Sequence, residues 1–183
     1  LASHSGKIRA GERYVVVGKS SGFSSSIDLS SLDGSNGFRL DGVDYGDRSG
    51  YSVSSAGDVN GDGFDDVIIS AHLAAPDGKD RAGESYVVFG KASGFSADID
   101  LSSLNGSNGF RLDGVDADDH SGWSVSSAGD VNGDGFDDVI IGATGADPSS
   151  KSSAGESYVV FGKASDWNSS IDLSSLDGSN GFR

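Results

Sequence analysis

Residues 40–111 return, with substitutions, as residues 112–183. Roughly three quarters of the 72 aligned positions match, which makes the chain a tandem repeat and confines it to folds in which one unit stacks on the next. The same step relates GERYVVVGK at Gly11 to GESYVVFGK at Gly83 and Gly155, and GSNGFR at Gly34 to its copies at Gly106 and Gly178. Residues 1–39 are therefore the second half of a unit, and residues 40–111 and 112–183 are two full units.

Within a unit, four short strands are separated by glycine-rich turns. Ser49–Gly57 alternates Tyr51 and Val53 with serines, and Asp65–Ala71 is a continuous β-branched run of the kind buried on both faces. Gly83–Gly90 and Asn108–Gly114 supply the third and fourth strands. Between these two, Ile99, Leu101 and Leu104 are expected to pin a long loop onto the sheet. No amphipathic helical stretch of useful length interrupts the pattern. The expected class is all-β, built of β-propeller blades of four antiparallel strands. About two and a half blades are present, as a fragment of a larger propeller or repeat array.

The most conserved piece of the duplication is DVNGDGFDD, at 58–66 and again at 130–138. Acids at alternate positions of a tight turn can aim oxygen ligands at one centre, which a hard cation requires. Asp58, Asn60 and Asp62 occupy the alternate positions, Gly63 allows the sharp turn at the sixth, Phe64 can offer its carbonyl, and Asp66 can close the shell. In the second copy the same roles fall to Asp130, Asn132, Asp134, Phe136 and Asp138. Two sites of three carboxylates, one amide oxygen and one carbonyl suit Ca2+ better than Mg2+, which prefers a rigid octahedron that keeps several waters. An EF-hand would place Glu at the twelfth position, where Ile69 and Ile141 stand inside strands. The loop is a short calcium turn feeding a strand.

Net charge is −15, so duplex DNA, RNA and anionic membrane surfaces are poor partners, and two Ca2+ ions would offset four of those charges. No apolar run is long enough for a membrane-spanning helix, so membrane insertion is not expected. Cysteine is absent, which removes disulfides and thiolate chemistry. Methionine is absent too, at position 1 as elsewhere, so Leu1 is expected to be an end left by processing or excision from something longer.

These residues resemble the FG-GAP repeats of integrin α-subunit propellers and their bacterial relatives. SGYSV and SGWSV stand where the family has FG-x-S-V, with Tyr51 and Trp123 replacing phenylalanine. VIISAHLA and VIIGATGAD occupy the GAP segment, of which Gly142-Ala143 keeps two letters. Both acidic loops fit the family's calcium pattern D-x-[DN]-x-D-G-x-x-D. The resemblance implies Ca2+ on the ten residues named above, in loops between the first two strands of a blade. It also implies a family ring of seven blades, of which this chain supplies about two and a half. Enzymes with FG-GAP-like domains, among them polysaccharide lyases and phospholipases, make a non-catalytic module within an extracellular enzyme the alternative to an adhesion protein.

Catalysis finds little support. His4, His72 and His120 lack a nucleophile and an orienting partner in sequence, and no GxSxG elbow exists. Gly18-Lys19-Ser20 ends like a phosphate loop, but Arg13 stands where the first glycine belongs. Asp65-Asp66 and Asp137-Asp138 could suggest glycosidase carboxylates, but neighbours on a strand point to opposite faces. The two full units differ mainly at Tyr45–Tyr51, Ser70–Arg81 and Gly94–Asp98. Loops that vary over a fixed scaffold are where recognition of a protein or glycan would sit. The expectation is a non-enzymatic, calcium-binding propeller segment of an extracellular or cell-surface protein serving adhesion or surface assembly. Self-association through exposed blade faces is a further expectation.

Overall fold

A computed structural model describes residues 3–4, 7–8 and 10–183. Among them there is no α-helix, only strands and one-turn 3-10 segments. The strands are β1 (Ser3–His4), β2 (Lys7–Ile8), β3 (Glu12–Val16), β4 (Gly37–Asp41), β5 (Val53–Gly57), β6 (Asp66–Ala71) and β7 (Glu84–Val88). They continue as β8 (Asp98–Asp100), β9 (Gly109–Asp113), β10 (Ser121–Gly129), β11 (Asp138–Ala143), β12 (Glu156–Val160), β13 (Ser170–Asp172) and β14 (Gly181–Phe182). The fold is all-β, in propeller-type blades of antiparallel strands as expected, and the described sheets do not close on one another.

The two full blades run β5-β6-β7-β9 and β10-β11-β12-β14, each with antiparallel neighbours. The half blade holds β3 and β4, and β1 pairs with β2 as a separate ribbon. The unit divisions at 39/40 and 111/112 fall inside β4 and β9, so a hydrogen-bonded blade is offset by a few residues from the sequence unit.

One element departs from the expected four strands. The segment expected as a loop between the third and fourth strands contributes β8 and β13, and each pairs in parallel with the fourth strand of the preceding blade. Ile99 lies opposite Leu40 and Ile171 opposite Leu112, so the half blade takes a third strand and the first full blade a fifth strand from the blade that follows. Immediately after each short strand, Asp100 and Asp172 cap a 3-10 turn by accepting from the amides of Ser102 and Ser174. Leu101 and Leu173 are buried by that turn, which explains why a DLSS sequence anchors the connection.

Alternation along β6 decides how blades stack. Ile68 points into a cluster with Val87, Phe110 and Leu112, packed against Val125, Val139, Ile141 and Tyr158 of the next blade. Ile69 points the other way, into a cluster with Tyr86, Val88, Phe38 and Leu40 on the side of the half blade. Both faces of the middle sheet are therefore core, as a continuous β-branched run requires. Burying each large side chain here contributes about 1.5–3 kcal/mol. At the ends of the stack the same positions lie open: Ile140 is 37% exposed where Ile68 is 0%, and Phe182 is 47% where Phe110 is 0%.

Backbone approach across the blade boundary is as close as the packing. The amide of Ser121 donates to the carbonyl of Ala82 at 2.9 Å, and that of His120 to Arg81 at 3.0 Å. A Cβ on Gly83, at φ 88°, would stand 2.0 Å from the Ser121 carbonyl oxygen. Gly83→Ala should therefore lower stability by about 3 kcal/mol, from the left-handed backbone and the clash together. Gly46→Ala, at φ 91° with open space around it, should lose only about 1–2 kcal/mol. Urea unfolding of both variants checks the difference, and equal losses would show that the boundary is not close-packed there.

Candidate metal centre

Each acidic loop joins the first strand of a blade to the second, 58–66 between β5 and β6 and 130–138 between β10 and β11. In the first loop, Asp58 Oδ1 accepts from the Asp62 amide at 3.0 Å and Oδ2 from the Gly63 amide at 2.9 Å. Asn60 Oδ1 accepts from the Asp62 amide, and Asp62 Oδ1 from the Phe64 amide, each at 2.9 Å. The second loop repeats this arrangement with Asp130, Asn132 and Asp134. All three alternating side chains are thus turned inward onto the loop's own N–H groups. Glycines at the sixth position, Gly63 and Gly135, take φ of 89° and 94°, the sharp turn that lets the chain curl around these oxygens.

The ninth residue is held differently. Asp66 is 1% exposed and accepts from the amides of Val59 at 3.0 Å and Gly90 at 2.8 Å. Asp138, 0% exposed, accepts likewise from Val131 and Gly162, both at 2.9 Å. Neither has a positive side chain within ion-pair distance among the described residues. Burial pushes the Asp66 carboxyl up to about 7, the Gly90 and Val59 amides work against that, and the nearby charges of Asp62 and Asp58 add to it.

Among the described residues, no three acidic or histidine side chains stand at mutual metal-ligand separation. The structure places all ten expected residues in two equivalent loops, with oxygens of the eight Asp and Asn side chains accepting from N–H donors. By type and loop shape they suit a hard cation. Each oxygen that accepts one N–H keeps a second lone pair, and a buried carboxylate such as Asp66 lacks a compensating charge. The side chains of Phe64 and Phe136 play no part in that set, since only their carbonyls could.

Other titratable groups serve the scaffold. Asp65 is exposed where Asp66 is buried, so the paired acids face apart and form no glycosidase pair. Arg111 grips Asp113 through Nε at 2.5 Å and Nη2 at 3.0 Å, with Glu84 at 3.7 Å and the Tyr86 hydroxyl donating to Glu84. This network ties β7 to β9. The side chain of His4 lies outside the described residues.

His72 and His120 form a feature that sequence patterns do not reveal. They meet Tyr51 and Trp123 across the blade boundary, with ring centroids 4.0 Å apart for Tyr51 and His72 and 5.1 Å for Tyr51 and Trp123. Burial, then the neighbouring His120 and Arg48, lowers the His72 pKa to about 4, so the ring is neutral at pH 7. Among the described residues its Nδ1 has no hydrogen-bond partner. A neutral imidazole with no carboxylate to orient it is poorly placed for general-base chemistry. The only prior sign of this cluster is that its members fall in the stretches that differ between units.

The FG-GAP repeat family matches residues 49–88 and 121–160. These spans cover the first three strands of each full blade together with the acidic loop. The chain carries two FG-GAP repeats of the integrin α type. It is 36% identical to integrin alpha-4 of Xenopus laevis over 110 residues, covering 58% of this chain and 9% of that protein. It is 32% identical to integrin alpha-V of Gallus gallus over 109 residues, covering 60% of this chain and 10% of that protein. It is also 30% identical over 131 residues to phosphatidylinositol-glycan-specific phospholipase D of Dictyostelium discoideum, covering 65% and 13%. The FG-GAP chain thus spans about a tenth of the length of the curated relatives it matches.

In the FG-GAP loops the raised Asp66 value carries a pH signature. Its folded pKa of about 7 lies above the ordinary 3.8, so the fold holds this proton more tightly than the unfolded chain does. Its stabilising contribution is full below about pH 4 and is lost as pH rises through about 7. Melts in a chelator should show the transition temperature falling from pH 4.5 to 7.5. Asp66→Asn should make that fall shallower, and equal slopes in both proteins would remove Asp66 as its source.

Proposed function

We propose that this FG-GAP chain is a calcium-stabilised, non-enzymatic propeller segment of an extracellular or cell-surface protein, acting in adhesion or surface assembly. The observation that carries the reading is the pair of equivalent loops. In each, a buried carboxylate without a positive partner sits beneath a turn whose three alternating oxygen side chains all face inward. Asp58, Asn60, Asp62 and Asp66, with the Phe64 carbonyl, would hold one Ca2+. Asp130, Asn132, Asp134 and Asp138, with the Phe136 carbonyl, would hold the other. The ion supplies the positive charge that an acidic chain of net −15 lacks at these points.

The variable stretches support a binding rather than a catalytic role. They bring Tyr51 and Trp123, both more than 40% exposed, together over His72 and His120. Exposed aromatic faces suit a protein or glycan ligand. The likeness to integrin α chains favours adhesion, and the likeness to a phospholipase D favours the second reading, a non-catalytic module of a larger extracellular enzyme.

Extracellular modules typically bind Ca2+ at about 10⁻⁴–10⁻³ M. At ten to a hundred times that constant, each site should add about 1.4–2.7 kcal/mol to stability. Thermal melts at pH 7.5 with millimolar Ca2+ should therefore lie well above melts in chelator, with Mg2+ giving a smaller rise. Asp62→Ala and Asp134→Ala should each remove one site's share of the Ca2+ increment. Superimposable melts with and without Ca2+ would overturn the calcium reading.

A further inference from the structure

The two loops have one sequence and two environments. The Asp58 amide donates to Asp137 Oδ2 of the next blade at 2.9 Å, and the Asp137 amide donates back to the Asp58 carbonyl at 3.1 Å. One residue on, the Val59 carbonyl accepts from the Lys163 amide at 3.0 Å. The Phe136 ring lies over Gly61, so closely that a Cβ there would stand 2.3 Å from Cε1. Residues 58–61 of the first loop are thus clamped by the next blade, through its own acidic loop and Lys163. Val59 is 0% exposed, whereas its counterpart Val131 is 51% exposed. Asp65, the counterpart of Asp137, is itself exposed.

We propose that Asp137 is a positioning residue for the cation site of the neighbouring blade, holding the 58–66 loop in the shape that its ligands require. The proposal rests on the calcium reading of that loop. Asp58 supplies the first expected ligand, and the Val59 amide holds the buried Asp66 that closes the set. Fixing Asp58 and Val59 from outside therefore fixes both ends of the ligand series before any ion arrives. Preorganisation of this kind raises affinity by removing the ordering that binding would otherwise require. The 58–66 site should bind Ca2+ more tightly than the 130–138 site, although their residues are the same. An acid in one loop would then govern affinity in the other.

The test uses the full chain labelled with 15N and titrated with Ca2+. The Gly63 and Gly135 amides, each donating to the first Asp of its own loop, report the two sites separately. Asp137→Ala should raise the dissociation constant read at Gly63 by about tenfold, the usual scale for losing a hydrogen bond to a charged group, and leave Gly135 within about twofold. Asp137→Asn keeps an oxygen that can accept from Asp58 and should stay near the parent protein at both sites. Asp65→Ala, made on the equivalent acid with no loop to hold, should change neither. Hydrogen exchange in chelator gives a calcium-independent measure: the Asp58 amide should exchange faster in Asp137→Ala than in the parent or in Asp137→Asn. Weakening at Gly135 with Gly63 unchanged, or equal Asp58 exchange in all variants, would overturn the proposal. If neither glycine responds to Ca2+ in the parent, the calcium reading fails, and the Asp58 exchange rate still decides whether Asp137 holds the loop.

Discussion

A sheet that is apolar on both faces cannot stand alone in water, and this constraint organises the molecule. In β6, successive residues Ile68 and Ile69 face opposite ways and both are fully buried. Each face must therefore be covered by another blade, and the repeat supplies one on either side. Where no described blade follows, the same positions lie open at Ile140 and Phe182, and on the outer face of β3 at Tyr14 and Val16. Stability in such an array is shared between units and the interfaces that join them, so neither can be assigned a value alone.

The interfaces are made by more than side-chain packing. Blades exchange main-chain hydrogen bonds at Ala82 and Ser121, lend each other a parallel strand through β8 and β13, and lock their acidic loops together at Asp58 and Asp137. These contacts are directional where apolar packing is not, so they fix the register and rotation of one blade on the next. The short strands also explain why a residue run as polar as SADIDLSS is held firmly. Its backbone pairs with the preceding sheet, while Leu101 and Leu104 are buried beneath the turn.

What could be read from the sequence was whatever is local to one unit or copied between units. The period, the strands around Val67–Ile69 and Tyr86–Val88, and the positions of both acidic loops follow from alternation and self-comparison. The parallel strands escaped because three-residue segments such as Asp98–Asp100 carry no period, and their partner lies in another unit. The Tyr51–His72–His120–Trp123 nest escaped for the same reason, since residues from two blades build it and their own units do not repeat them. Nothing in the sequence marks Glu84, yet burial raises its pKa against the opposing pull of the Tyr86 hydroxyl and Arg111, and makes it part of the sheet's internal wiring.

Identical sequence does not produce identical behaviour once a repeat has a position in an array. The segments 57–61 and 129–133 have the same five residues, yet one is covered by a neighbouring loop and the other faces solvent. Nothing within either loop accounts for the difference. It comes from residues 136, 137 and 163, which belong to the next blade and present Phe, Asp and a free backbone amide at the right height. A repeat that carries both halves of this contact on opposite sides can add units without new design, because each loop is at once the one held and the one that holds. Selection on a position such as Asp137 therefore acts on its neighbour's site, and a comparison that scores each loop against its own ligands alone would assign the residue no role.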